Sequence, residues 1–185
     1  MSGEAFTQDL RRNSVTWLLV DKAGFADPTD PKITELNSVN ERLVLDITCA
    51  LDEEATSFTI GSSEIDERLS FCDGVGAGRP SEANPELTLG IYRDEDRDAN
   101  GVFNKAFAWL VFPDKNYFLV QRVGDQDTAS DGVTPKTPFA TTDDIRIMEF
   151  NTDFGADTLA DGDPALLSIS PIPAGLLAWN INPSA

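Results

Sequence analysis

The stretch Tyr117-Phe118-Leu119-Val120-Gln121-Arg122-Val123 is predicted to be a strand, because aromatic and β-branched side chains make up most of it and both favour that structure. Outward from this stretch, other segments alternate apolar and polar residues with the period of two that is typical of half-buried strands. These segments cover residues 15–20, 43–51, 58–60, 87–91, 145–150 and 166–169. The sequence therefore predicts seven or eight strands.

Every second residue from Leu43 to Leu51 is apolar, so this segment is predicted to be one strand with Cys49 on its buried face. The only other cysteine is Cys72, and two cysteines are too few for a disulfide framework. Cys49 is therefore interpreted as a small core residue of a chain made in a reducing cytoplasm.

Residues 100–112 have the pattern of an amphipathic helix. Its apolar stripe consists of Val102, Phe103, Ala106, Phe107 and Leu110. Asp98 or Asn100 is the expected N-cap, and Pro113 is expected to stop the helix. A short helical turn is expected over residues 33–37. Many strands and one helix predict a mainly β fold, either a β-sandwich or a partial barrel, with the helix packed on it.

Residues 67–85 and 124–142 lack sustained periodicity and are predicted to be long loops. Residues 171–185 contain three prolines yet keep several apolar side chains, so this extended segment is expected to dock on another surface. The chain is predicted to be a single domain over residues 1–185, with an N-terminal arm of about residues 1–13 and an extended C-terminal segment of about residues 171–185.

The composition is strongly acidic, with 32 acidic and 14 basic residues, no histidine and a formal net charge of −18. Such a surface repels phosphate, which disfavours specific binding of nucleic acids or anionic membranes. A surface that favours solubility, or an adaptation to salt, also explains the excess of acidic residues. Residues 99–124 reverse the sign, with three basic side chains and one acidic one. No apolar run reaches the roughly 20 residues of a membrane helix, and residues 1–12 show no signal peptide.

Motifs for chemistry are weak. The missing histidine removes Ser–His and Cys–His nucleophile pairs and the commonest zinc ligand. Asp96-Arg97-Asp98-Ala99-Asn100-Gly101 fits the start of a calcium loop, but Phe107 stands where the bidentate glutamate belongs. The glycines of residues 74–79 lack the Lys-Ser/Thr of a phosphate loop. The sequence therefore predicts no catalytic site, metal or cofactor.

Three stretches carry a resemblance to a known family. The first is Pro28-Thr29-Asp30-Pro31-Lys32-Ile33-Thr34-Glu35-Leu36-Asn37, followed within ten residues by Asp46-Ile47-Thr48-Cys49. The others are Lys105-Ala106-Phe107-Ala108-Trp109-Leu110-Val111 and Tyr117-Phe118-Leu119-Val120-Gln121-Arg122-Val123-Gly124. Their order over residues 14–124 resembles the major tail (tail tube) proteins of siphophages that infect actinobacteria.

This resemblance implies a β-sandwich whose sheet lines a channel, with the helix packed outside. It implies a non-enzymatic, structural virion protein that is assembled in the host cytoplasm and resides in the tail. Copies would form hexameric rings that stack around a tape-measure protein, in contact with tail-terminator and tail-tip proteins. Double-stranded DNA would pass through the channel without specific binding, and this chain would not insert into a membrane.

In such a tube the acidity gains a mechanism, because a wall of like charge lets DNA slide where a basic wall would trap it. The polar faces of central strands are hypothesised to face the channel, with ordinary solvent as the equal alternative: Asp46, Thr48, Glu86 and Thr88. The loop of residues 67–85 is predicted to contact the next ring through Phe71, Asp73, Gly76 and Arg79. The C-terminal segment is predicted to contact a neighbouring subunit through Leu176, Leu177, Trp179 and Ile181.

Two other classes of function compete with this interpretation. A monomeric β-sandwich module that binds calcium or a carbohydrate would bind a small ligand saturably and form no large species. Another virion component, such as a capsid decoration or tail-completion protein, would form one closed oligomer instead of an open stack. An enzyme is the weakest alternative, since no nucleophile and base can be paired.

Overall fold

The computed structural model describes residues 15–61, 65–66, 79–80, 84–94, 96, 100–123, 138–158 and 165–185. The helices are α1 (Ile33–Leu36) and α2 (Val102–Leu110), with 3-10 turns at Lys22–Gly24 and Thr48–Ala50. The strands are β1 (Val15–Asp21), β2 (Val44–Asp46), β3 (Ser57–Gly61), β4 (Ile65–Asp66), β5 (Arg79–Pro80), β6 (Asn84–Tyr92), β7 (Asn116–Val123), β8 (Asp144–Asn151), β9 (Ala156–Thr158), β10 (Leu166–Ile169) and β11 (Ile172–Ile181).

The predicted mainly β fold with one packed helix is confirmed. The chain divides into two compact units, each built from separate stretches of sequence. The first unit comprises Met1–Thr48, Phe118–Met148 and Leu176–Ala185, and the second comprises Cys49–Tyr117 and Glu149–Gly175. The single domain predicted over residues 1–185 stays a prediction, and its N-terminal arm lies outside the described residues.

The first unit is organised by a five-stranded sheet in the order β11-β8-β7-β1-β2. Strands β1 and β2 are antiparallel, with Leu18 opposite Asp46 and Val20 opposite Val44. One face of the sheet carries an apolar core that α1 and the segment after residue 137 complete. That core consists of Leu18, Val20, Phe25, Leu36, Val44, Phe118, Val120, Phe139, Ile145 and Ile147. Burial of these side chains is the main stabilising contribution to the unit.

The second unit is organised by a four-stranded sheet in the order β3-β6-β10-β9. Its strand pairs, β3–β6, β6–β10 and β9–β10, are antiparallel. The apolar side chains of β6 are buried as the alternation predicts, with Leu87 at 4% and Leu89 and Ile91 at 0% exposure. Helix α2 packs on β6 and buries Ala106 and Leu110.

The predicted strand over residues 43–51 is wrong beyond Asp46. The carboxylate of Asp46 accepts the backbone N–H of Thr48 at 3.0 Å, and the Thr48 hydroxyl accepts the backbone N–H of Trp17 at 2.8 Å. These side chains satisfy the backbone in place of a ladder, so the chain turns into a 3-10 helix. The turn leaves Cys49 exposed, which contradicts its interpretation as a core residue.

Two other local predictions need correction. Helix α2 begins after Gly101, which has no side-chain cap, so neither Asp98 nor Asn100 is the N-cap. The C-terminal segment is more regular than predicted, because it contains the ten-residue strand β11 at the edge of the five-stranded sheet. Asn180 has a φ of 53° and interrupts the alternation of β11. Ala178 and Ile181 can therefore both pack against the core of the first unit.

Motif residues and candidate assembly surfaces

Arg122, the arginine of the aromatic strand motif, is a buried structural residue in β7 with 3% exposure. Its Nη1 donates to Asp143 Oδ2 at 3.1 Å and to the carbonyl of Pro138 at 3.3 Å. Its Nη2 donates to the hydroxyl of Thr16 at 3.2 Å, and the guanidinium lies 4.3 Å from the ring centroid of Phe139. One side chain thus ties the segment of residues 138–143 to β1 and β7.

Asn37, the last residue of the Glu-Leu-Asn motif, binds the same segment. Its Nδ2 donates to the carbonyl of Phe139 at 2.9 Å, and its Oδ1 accepts the backbone N–H of Phe139 at 2.8 Å. Both backbone polar groups of a residue with 7% exposure are therefore satisfied by one amide side chain. Asn37 and Arg122, which belong to different motifs, converge on Phe139, and we call these three residues the clamp.

The preceding motif residues hold α1 in place. The two carboxylate oxygens of Glu35 accept the backbone N–H groups of Lys32 and Ala26, each at 2.9 Å. Leu36 is buried in the core. The carboxylate in the first turn satisfies a backbone donor that the short helix leaves unpaired. The three residues of the Glu-Leu-Asn triplet therefore act differently, since Glu35 caps the helix, Leu36 fills the core and Asn37 binds Phe139.

The last residues of the chain bind within the first unit. The backbone N–H of Ser184 donates to the carbonyl of Pro31 at 2.9 Å, and its carbonyl accepts the N–H of Ile33 at the same distance. Asn182 Nδ2 donates to the carbonyl of Asp143 at 2.9 Å. The C-terminal segment therefore docks on its own chain, next to the motif of residues 28–37.

The residues predicted to face a channel fall into both units. In the first unit, the side chains of Asp46 and Thr48 make the backbone hydrogen bonds that end β2. In the second unit, Glu86 is exposed and Thr88 is half-buried, both on β6. Of the four, Glu86 has the side chain with the most direct access to solvent.

Glu86 and Thr88 lie on a polar face of the four-stranded sheet. The register places Thr59 opposite Glu86 and Ser57 opposite Thr88. Gly90 is the next residue of β6 on this face, and Ser168 lies on the same face because it pairs with Gly90. We call Ser57, Thr59, Glu86, Thr88 and Ser168 the hydroxyl face. The described strands β3, β6, β9 and β10 contain no lysine or arginine. This sheet therefore presents short hydroxyls and a carboxylate, without cations of its own.

One end of the hydroxyl face is covered by the turn at residues 52–56. A Cβ on Gly90 would lie 2.4 Å from the Cβ of Ala55, so only glycine lets the turn approach this closely. The hydroxyl of Thr56 accepts the N–H of Gly90 at 3.2 Å, which fixes the turn on the strand. Among the described residues, the end of the face that carries Thr59 and Glu86 stays exposed.

Asp52 and Tyr92 fasten the same turn. The Tyr92 hydroxyl donates to Asp52 Oδ2, while Asp52 Oδ1 accepts the N–H of Ala55 at 2.7 Å and that of Glu54 at 3.0 Å. The hydrogen bond from Tyr92, followed by that from Ala55, lowers the pKa of Asp52 below its ordinary value. The same bond to Asp52 raises the pKa of Tyr92. The pair therefore keeps a carboxylate and a neutral phenol near neutral pH.

The loop predicted to contact the next ring is described only at its ends. Phe71, Asp73 and Gly76 lie outside the described residues. Arg79 lies in β5 and pairs with Asp66 of β4, and Pro80 pairs with Ile65. The chain before and after the loop therefore runs together as a two-stranded ladder.

The residues predicted to form an intersubunit arm all lie in β11, within a sheet of their own chain. They are Leu176, Leu177, Trp179 and Ile181. Ile181 packs against the core, whereas Trp179 keeps 38% exposure. The guanidinium of Arg146 lies 4.1 Å from the Trp179 ring centroid. Trp179 is therefore the member of this set that presents a fixed aromatic surface to solvent.

Two exposed aromatic residues were not predicted from the sequence, Phe112 at 62% and Phe154 at 79% exposure. A usable signal existed for Phe154, since it is a lone aromatic residue within Asn151-Thr152-Asp153-Phe154-Gly155. Phe112 gave no such signal, because it lies at the end of the predicted helix.

The described residues hold no group of three or more side chains suited to a metal ion. Asp98 of the calcium-like loop lies outside them, and the carbonyl of Asp96 accepts Asn104 Nδ2 at 2.8 Å. Among the helices of the described residues, none is both long and apolar enough to cross a membrane.

Comparison with known proteins gives one informative match. A family model described as phage tail tube protein matches residues 4–167, which is most of the chain. No curated protein matches it. The family match agrees with the mainly β fold, places the protein in the virion tail, and points to a structural role without enzymatic activity. The chain therefore belongs to the phage tail tube protein family.

Proposed function

We propose that this chain is the repeating subunit of the tail tube. Copies associate into hexameric rings, the rings stack around a tape-measure protein between terminator and tip proteins, and the emptied channel conducts double-stranded DNA. The observation that carries this proposal is the hydroxyl face, which combines a regular sheet surface with the absence of cations on its described strands.

A channel wall for DNA must avoid binding it. Double-stranded DNA carries about one negative charge per 1.7 Å of its axis, and basic side chains bind it by releasing counterions. At physiological salt only charges within about 8 Å act strongly on it. A wall of Ser57, Thr59, Thr88 and Glu86 side chains satisfies this condition, because it offers DNA no cation to hold.

Self-association is supported by the edges of both sheets. Strands β3 and β9 end the four-stranded sheet, and β2 and β11 end the five-stranded sheet, as far as the described strands show. An edge strand offers unpaired N–H and C=O groups that another strand can bind. A neighbouring copy of the same chain can supply such a strand and continue the sheet around a ring.

Electron microscopy of the purified chain tests polymerisation directly, with tubes of uniform diameter as the expected result. The channel assignment is tested with tubes of Glu86→Lys, incubated with short double-stranded DNA and then with nuclease. We expect these tubes to retain DNA that the nuclease cannot reach. Asp30→Lys is the matched control, because Asp30 is exposed, lies outside the hydroxyl face and outside the four residues predicted to face the channel, and the substitution makes the same change of charge.

Wild-type tubes and Asp30→Lys tubes should retain no protected DNA. If Glu86→Lys tubes bind DNA that remains fully digestible, Glu86 lies on the outer surface and the channel assignment is wrong. If the chain forms no polymer, with or without a tail-tip initiator, the proposed function itself is refuted.

A further inference from the structure

We infer that Phe112, Phe154 and Lys115 form a contact surface for a second copy of this chain. The inference rests on the proposed function, since it assumes that copies associate. All three residues are exposed and lie in the second unit, in the loops that follow α2 and β8. We call them the aromatic patch.

The two loops are joined by Thr152, which is 2% exposed. Its hydroxyl donates to the carbonyl of Phe112 at 2.7 Å and accepts the N–H of Lys115 at 2.9 Å. Its backbone N–H donates to the carbonyl of Lys115 at 2.8 Å. Phe154 follows two residues later, so the patch is held by a buried hydrogen-bonded centre and not by mobile side chains alone.

The loop of Phe112 also contains a residue in the left-handed conformation. Asp114 has a φ of 62°, in the left-handed region that non-glycine residues rarely adopt. Its N–H donates to the carbonyl of Thr152 at 2.9 Å, so the surrounding bonds enforce this conformation. Asp114 lies two residues after Phe112, so its bond to Thr152 helps to fix the loop that presents the Phe112 ring.

The size of the patch fits an anchor within an interface. At exposures of 62% and 79%, the two phenylalanines present roughly 280 Å² of aromatic side chain to solvent, given about 200 Å² per ring residue. A standard interface buries about 800 Å² on each partner. The aromatic patch therefore supplies about a third of one side of such an interface, in the residue type that interface cores favour.

The charge of the chain bears on which partner contacts the aromatic patch. Every copy carries a net charge of −18, so copies repel each other wherever two acidic surfaces meet. Residues 99–124 are the stretch where bases outnumber acids, and there Lys115 is exposed beside Phe112. The two loops of the patch carry Lys115 together with Asp114 and Asp153, so their charge is close to balanced, and an apolar surface of low charge is where two copies of −18 can meet with little repulsion.

The test uses the full chain with Phe112→Ser and Phe154→Ser combined. We expect an unchanged melting temperature, because both side chains are exposed, and at least a tenfold rise in the protein concentration at which tubes form. Lys115→Glu should also raise this concentration, and more so at low salt. The matched control is Val39→Ser, since Val39 is 97% exposed in the first unit and should leave polymerisation unchanged.

A double variant that polymerises at the wild-type concentration refutes the aromatic patch while the proposed function stands. The patch is also refuted if Val39→Ser weakens polymerisation as strongly as the double variant. A wild-type chain that never polymerises refutes the proposed function first and this inference with it. If the double variant melts at a lower temperature than the wild type, the Lys115→Glu variant tests the patch instead. Lys115 binds Thr152 only through its backbone, so this substitution keeps the hydrogen bonds at Thr152.

Discussion

Replacing Arg122 by methionine should destabilise the folded chain strongly. The substitution keeps an unbranched apolar side chain against Phe139 but removes every donor of the guanidinium. Asp143 then loses its cationic partner, and the carbonyl of Pro138 and the hydroxyl of Thr16 each lose a hydrogen bond. Thr16 has 1% exposure, so water cannot readily replace the bond that it loses.

The size of the effect follows from burial. Removing one partner of a buried ion pair costs about 3–5 kcal/mol. Asp143 has 23% exposure and keeps its bond from the N–H of Ala140, so water and backbone still stabilise its charge. The lower end of the range, about 3 kcal/mol, therefore applies. For a chain of 185 residues this corresponds to a fall in melting temperature of about 6–12 °C.

Thermal and urea unfolding followed by circular dichroism would measure this loss. Asp143→Asn in the Arg122→Met background is the matched test, because asparagine keeps an acceptor for Ala140 but carries no charge. We expect it to recover part of the lost stability, so the two substitutions should be non-additive. An Arg122→Met chain within about 0.5 kcal/mol of the wild type would contradict a structural role for this arginine.

Two further predictions concern single side chains. Asn37→Ala removes both bonds to the backbone of the segment after residue 137, and should lower the free energy of unfolding in urea by about 2–4 kcal/mol; an unchanged urea midpoint would show that these bonds are dispensable. The lowered pKa of Asp52 means that its carboxylate stabilises the fold above the unfolded value of 3.8, and that this contribution is lost as the pH falls below it. Tyr92→Phe removes the largest cause of that shift, so unfolding measured from about pH 5 to about pH 2 should show less acid destabilisation in the variant than in the wild type. Equal acid sensitivity would argue against the pair.

The central strands could be predicted because their burial follows their local pattern. In β6, Leu87, Leu89 and Ile91 point to one side and are buried there. Strand β11 was not predicted as a strand because Pro173 and Gly175 have the composition of a turn-rich tail. An edge strand tolerates both, since one of its sides needs no ladder partner.

The strand predicted over residues 43–51 was wrong because a side-chain hydrogen bond turns the chain within it. Its apolar period continues past Asp46, but the hydroxyl of Thr48 binds the backbone of Trp17 and turns the chain. Periodicity reports which side chains are apolar, not which backbone groups a side chain will satisfy. A competing bond of this kind leaves no periodic signal.

The clamp shows what a motif can and cannot reveal. The resemblance identified Asn37 and Arg122 as members of family motifs, but it gave them no partner. Their meeting point, Phe139, is 102 residues from Asn37 and belongs to none of the quoted motifs. Half of the aromatic patch left a signal, since Phe154 is a lone aromatic residue in a polar stretch, whereas the exposure of Phe112 depends on where the helix ends and not on composition.

The clamp also makes the sheet independent of the length of the stretch between Val123 and Pro138. Arg122 holds the carbonyl of Pro138 directly, so the two ends of the intervening stretch are fixed beside each other without its help. Closing a longer stretch between fixed ends costs only about 0.6 kcal/mol for each doubling of its length. The length and sequence of this stretch can therefore change from one phage to the next while the structure of the strands on either side stays the same.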